Sequence, residues 1–137
     1  MNKILKLTSK AAVVTLMLSL SSCYYDEIQE IIVEVPDPPE GVEVSFRTDV
    51  EPIFSEESNN CTQCHDGTGL NPDLRTGRAY NAIVPEYVND NDIEDAENSK
   101  FYQNLPGIGH PIDAGFELDV DQLTQIKGWI SQGAQNN

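Results

Sequence analysis

Methionine is nearly missing from this 137-residue chain: Met1 and Met17 are the only two, and both fall within the first 22 residues. Beyond that point no thioether can serve as a metal ligand. Basic residues are also few. Eight lysines and arginines stand against 23 aspartates and glutamates, and Lys3, Lys6 and Lys10 all lie in the first ten positions. So acidic a chain repels nucleic acid and anionic headgroups, and suits a basic partner as well as serving solubility. Long apolar runs are lacking too. The longest, Ala11 to Leu20, is too short to cross a bilayer as a helix. Three cysteines (Cys23, Cys61, Cys64) and two histidines (His65, His110) complete the list of soft and imidazole donors.

What is present at the start is an export pattern. Residues 1–22 combine a lysine-bearing beginning with the apolar run, the order of a signal peptide. Leu20-Ser21-Ser22-Cys23 then resembles a bacterial lipobox. The resemblance implies that Cys23 is lipidated, becomes the mature N-terminus and holds the protein to a membrane by lipid alone. The mature chain would keep 5 of the 8 basic residues and all 23 acids. Residues 23–43, with Pro36, Pro38 and Pro39, read as an acidic, extended spacer. Tyr24 and Asp26-Glu27 resemble the surface-export signals of some Bacteroidetes lipoproteins. The expected location is therefore the cell envelope, lipid-anchored, on the periplasmic face of the outer membrane or at the cell surface.

Cys61-Thr62-Gln63-Cys64-His65 is the motif that carries chemistry. Two thiols three residues apart can add across the two vinyl groups at one edge of a porphyrin, and the histidine that follows lies under the iron. The pattern reads as a c-type haem attachment site. A disulfide, a thioredoxin-like redox pair and half of a zinc site are the alternatives. Export into an oxidising compartment disfavours a reducing enzyme, and lipidation of Cys23 leaves two thiols, too few for a four-cysteine zinc centre. Cys61, Cys64, His65 and His110 as a Cys₂His₂ zinc site remains a further reading. A proximal histidine needs its second ring nitrogen held, and the turn-rich loop Asp66 to Leu74 is where a carbonyl acceptor is expected.

Residues 44–137 form the expected domain. Phe46, Val50, Ile53 and Phe54 share one face of a short helix, which Pro52 limits because proline is cheap only near the first turn. Arg75–Val84 and Lys100–Leu105 read as short helices, and Asn98-Ser99 can cap the second. The last helix is the most explicit: Asp119 at the N-cap, Gln122 completing a capping box, Leu123, Ile126 and Ile130 in a stripe, and Gly133 beyond the end. Gly128 within it suggests close approach by another helix, where the first and last helices cross.

From Phe46 to Asn137 these pieces resemble the small monohaem cytochrome c domains of bacterial lipoproteins. The matching stretches are Asp49-Val-Glu-Pro-Ile-Phe54, Cys61-Thr-Gln-Cys-His65, Asp73-Leu74, Asn98-Ser-Lys-Phe-Tyr102 and Ile126-Lys-Gly-Trp-Ile-Ser-Gln-Gly-Ala134. The resemblance implies an all-α, compact cytochrome c-like fold of about four short helices around one covalent haem c, preceded by an extended linker. It implies single-electron transfer to redox partner proteins, with no small-molecule substrate and no enzyme activity of its own. Where the family carries Met-Pro before the last helix, this sequence has His110-Pro111. With no methionine to replace it, His110 is the expected distal iron ligand opposite His65, and the couple is expected to lie lower than in Met/His relatives. A five-coordinate haem enzyme or gas sensor, with His110 off the iron, is the alternative. Arg75, Arg78 and Lys100 are candidates to pair with haem propionates, and Trp129 or Tyr80 to pack on the ring.

Overall fold

Pro52 has no N–H to donate and its ring crowds the carbonyl four residues before it, so the chain from Phe46 onward cannot run as one uninterrupted α-helix. In the computed structural model it forms a π-helical turn, Phe46–Val50, followed by a 3₁₀ helix, Glu51–Ser55. The expected apolar face survives the change of helix type: Phe46, Val50, Ile53 and Phe54 are all buried. The structure describes residues 34–137, which form one unit. The export segment, Cys23 and the spacer up to residue 33 lie outside the described residues.

Three α-helices follow: α1, Ala79–Ile83; α2, Lys100–Gln103; and α3, Val120–Ser131. Short 3₁₀ turns at Cys61–Gln63, Asp90–Asp92 and Ala96–Asn98 lie between them. Among the described residues there is no strand, so the fold is small and all-helical. The Arg75–Val84 helix is shorter than its sequence suggests. Gly77 takes a left-handed φ of 75°, which turns the chain before the helix begins.

α3 is built as its sequence states. Asp119 accepts from the Gln122 N–H at 2.9 Å, and the Gln122 side chain accepts from the Asp119 N–H at 3.0 Å. At the other end Gly133 (φ 94°) lets its own N–H reach the Ile130 carbonyl and the Ala134 N–H reach that of Trp129, at 3.0 and 2.9 Å. The helix buries Leu123, Ile126, Trp129 and Ile130. Trp129 stacks at 4.9 Å on Phe46, which also meets the Tyr80 ring at 5.4 Å. First and last elements are thus joined through an aromatic core, and the Phe54 ring continues it to Phe101 at 5.9 Å.

The element that approaches Gly128 is not a helix. A Cβ there would lie 2.8 Å from Pro38 and 3.1 Å from Val44, so the glycine makes room for Pro38 of the expected spacer and for Val44 at the start of the expected domain. Val35 is buried, and Lys127 donates to its carbonyl at 3.0 Å while pairing with Asp37 at 3.0 Å and Glu97 at 2.7 Å. Gln132 accepts from the Val44 N–H at 2.8 Å and donates to the Val42 carbonyl at 2.9 Å. From Glu34 to Val44 the chain, which turns at Glu40-Gly41, is therefore laid along α3 as a strap.

Candidate functional site

Each of the sequence-selected donors from residue 61 onward lies on a loop or a short turn held from outside. At Cys61–Gln63 the backbone tightens into a 3₁₀ turn, in which the Cys64 and His65 N–H groups both donate to the Cys61 carbonyl, at 3.2 and 3.0 Å. This stacks Cys61, Cys64 and His65 around one turn. Neither cysteine is in a disulfide; Cys64 is exposed and Cys61 half-buried. Burial pushes the Cys61 thiol up to about 11, against a smaller lowering by a backbone hydrogen bond. It stands as a neutral thiol at physiological pH.

The His65 ring is tied where the loop was expected to tie it. A carbonyl oxygen can only accept, so Nδ1 carries the proton it donates to Pro72 at 2.9 Å, and the Nε2 lone pair is left free. The Leu74 N–H closes this loop on the His65 carbonyl at 2.9 Å. Within it Asp66 accepts from the Thr68 N–H and hydroxyl, and Asp73 takes two bonds from the Arg75 guanidinium at 2.9 and 2.7 Å. The hydrogen bonds from Arg75 hold the Asp73 carboxyl down at about 2.

His110 sits in a second loop, closed by the Leu118 N–H on the Pro106 carbonyl at 3.2 Å. Its Nδ1 donates to the Ile112 carbonyl at 2.7 Å, which again leaves Nε2 free. Gly109 is wedged against α2: a Cβ would lie 2.6 Å from the Gln103 carbonyl. The two imidazoles, 45 positions apart in the chain, come together with ring centres 6.3 Å apart and planes at 77°.

Both rings and both thiols line one cavity of about 370 Å³. Its apolar wall includes Phe54, Leu74, Phe101, Leu105, Phe116 and Leu118. Of the basic candidates, Lys100 lines this cavity, its Nζ 3.9 Å from the centre of the Tyr87 ring. Arg75 is engaged by Asp73, and neither it nor Arg78 is on the cavity wall. Trp129 and Tyr80 belong to the aromatic core instead, one donating to the Gln135 carbonyl and the other to that of Ala134. Sequence reasoning missed Phe101 and Phe116 as wall residues: Phe101 lay in a matching stretch with no role attached to it, and Phe116 lay in none.

Among the described residues no three His, Cys, Asp or Glu side chains gather around a point that one metal ion could occupy. The two imidazoles and the two thiols instead line one cavity together with its apolar side chains. A second hollow, of about 580 Å³, lies beside the strap and is lined by acidic residues with Lys127. It holds no histidine or cysteine. Compared with known proteins, the chain matches no family model, no curated protein and no solved structure.

Proposed function

We propose that this protein is a lipid-anchored c-type cytochrome that carries single electrons in the cell envelope. Cys61 and Cys64 would hold one haem c through thioethers, His65 would be the proximal ligand and His110 the distal one, with Cys23 as the lipidated anchor. The observation that carries the reading is the pair of histidines. A metal–imidazole bond of about 2 Å, with about 1.1 Å more to the ring centre, places the centres of two imidazoles on opposite sides of one ion about 6.2 Å apart. The rings of His65 and His110 stand 6.3 Å apart with both Nε2 lone pairs uncommitted.

Other features fit the same group. Much of the cavity wall is apolar, as a porphyrin face requires, and both cysteines line it. Lys100 is placed to meet a carboxylate. A tetrahedral Cys₂His₂ zinc site needs four donors at one point, and the described residues gather no three. Haem, when bound, supplies one reversible electron at its iron. The chain's part is to attach it at Cys61 and Cys64, to orient both imidazoles through Pro72 and Ile112, and to exclude water with Phe54, Phe101 and Phe116. With His65 and His110 both holding the iron, the site would favour electron transfer over substrate binding. A basic redox protein is the partner that the acidic surface suits.

Expression of the full chain in a bacterium equipped for cytochrome c maturation tests this. Intact mass is expected to show one covalent haem, and the ferrous protein is expected to bind carbon monoxide slowly. Absence of haem from Cys61 and Cys64 would sink the reading; rapid carbon monoxide binding would favour the five-coordinate enzyme or sensor.

A further inference from the structure

We infer that the backbone carbonyls of Pro72 and Ile112 hold the two axial imidazoles crossed, and so set the electronic ground state of the ferric iron. The inference rests on the haem reading above and deepens it.

A histidine whose backbone is fixed keeps rotations about two side-chain bonds, and the second of these turns the ring plane. A hydrogen bond from Nδ1 to an immobile acceptor removes that freedom. His65 has such an acceptor in Pro72, whose residue is buried and whose loop is closed by Leu74 and pinned by the Asp73–Arg75 pair. His110 has an acceptor in Ile112, two residues along, on a loop closed by the Leu118 N–H on the Pro106 carbonyl and set by Gly109 against the Gln103 carbonyl of α2. The two locks are on separate loops and share no residue. The angle of 77° between the rings is therefore a property of the polypeptide, set before any iron is bound.

The consequence follows from orbital overlap. Low-spin ferric iron has five electrons in three d orbitals. Each imidazole π system raises the one of these that lies perpendicular to the ring plane. Parallel rings raise the same orbital and split the upper pair widely. Crossed rings raise both members by similar amounts and leave them nearly equal in energy. A near-degenerate pair keeps a large orbital moment, and the g tensor becomes strongly anisotropic. The spectrum is then one intense feature at high g with the other components broad, in place of three resolved rhombic lines.

The test is EPR of the ferric, haem-loaded full chain at liquid-helium temperature, beside Gly109→Ala and a control, Ile108→Ala. The wild-type protein is expected to give the single high-g low-spin signal, and Ile108→Ala to keep it, because Ile108 is exposed and lies off the cavity wall. Gly109→Ala must move the loop away from the Gln103 carbonyl, so the His110 ring turns and the signal is expected to broaden or convert to rhombic form. Circular dichroism separates this from loss of fold. A resolved three-line low-spin spectrum in the wild type would overturn the crossed geometry while leaving bis-imidazole ligation in place. A high-spin spectrum would overturn the ligation as well. An unchanged spectrum in a folded Gly109→Ala protein would show that the loop does not set the angle.

Discussion

Tyr102 and Phe101 are adjacent on α2 and have opposite fates. Phe101 lines the cavity, while the Tyr102 hydroxyl is buried without a hydrogen-bond partner, within the field of Glu97 and Lys127. Burial, with the Glu97 charge, raises that hydroxyl's pKa. Asp73 offers a cleaner test at this scale. Its carboxyl is held down at about 2 by hydrogen bonds from Arg75, below the ordinary aspartate value. A depressed folded-state pKa contributes stability above the unfolded value, and that contribution is lost as pH falls through the folded one. Asp73→Asn is therefore expected to lower the melting temperature at pH 6, with the difference from wild type shrinking between about pH 4 and pH 2. Thermal melts followed by circular dichroism across that range check it; a difference independent of pH would mean that the pair contributes nothing through charge. Which residues to propose for the site was legible at this scale, since Cys61, Cys64 and His65 fall within five positions. That Lys100, not Arg75 or Arg78, faces the cavity was not legible, because Arg75 is taken by a carboxylate only two positions away.

Among the elements, α3 was readable from end to end because its signals are local: a capping box, an apolar stripe and a left-handed glycine. The first helical segment was readable in its buried face but not in its backbone type, since Pro52 forbids the α-helical bond without saying what replaces it. Gly128 marked a close approach, yet the nearest approaching group, Pro38, came from outside the expected domain. Substituting Gly128→Val would drive side-chain atoms into Pro38 and Val44, and overpacking of this kind costs about 1–3 kcal/mol. Urea denaturation of the variant is expected to show that loss. The same substitution in a chain truncated before Val44 should cost much less, because Pro38 is gone. Equal losses in the two backgrounds would place the clash elsewhere in the helix.

For the molecule as a whole, charge is the feature with the longest reach. The 23 acidic residues against 8 basic ones create a field that steers a basic partner and repels an acidic one. If the protein passes electrons to a basic redox protein, the bimolecular rate is expected to fall by tenfold or more between about 10 mM and 300 mM salt, as the Debye length shortens from about 30 Å to under 8 Å. Stopped-flow mixing with a basic cytochrome measures it. A rate indifferent to salt would remove the electrostatic basis for that choice of partner.

The Cys61–His65 motif, the caps of α3 and the absence of a late methionine needed nothing beyond neighbouring residues, so the sequence alone determined them. The pairing of His65 with His110, the apolar wall of their cavity and the strap from Glu34 to Val44 depend on contacts between residues far apart in the chain. Such contacts arise only when burial brings separate loops onto one core. Composition could name His110 as a candidate partner for His65; only the folded chain decided that the two rings meet, at what distance and with their planes crossed.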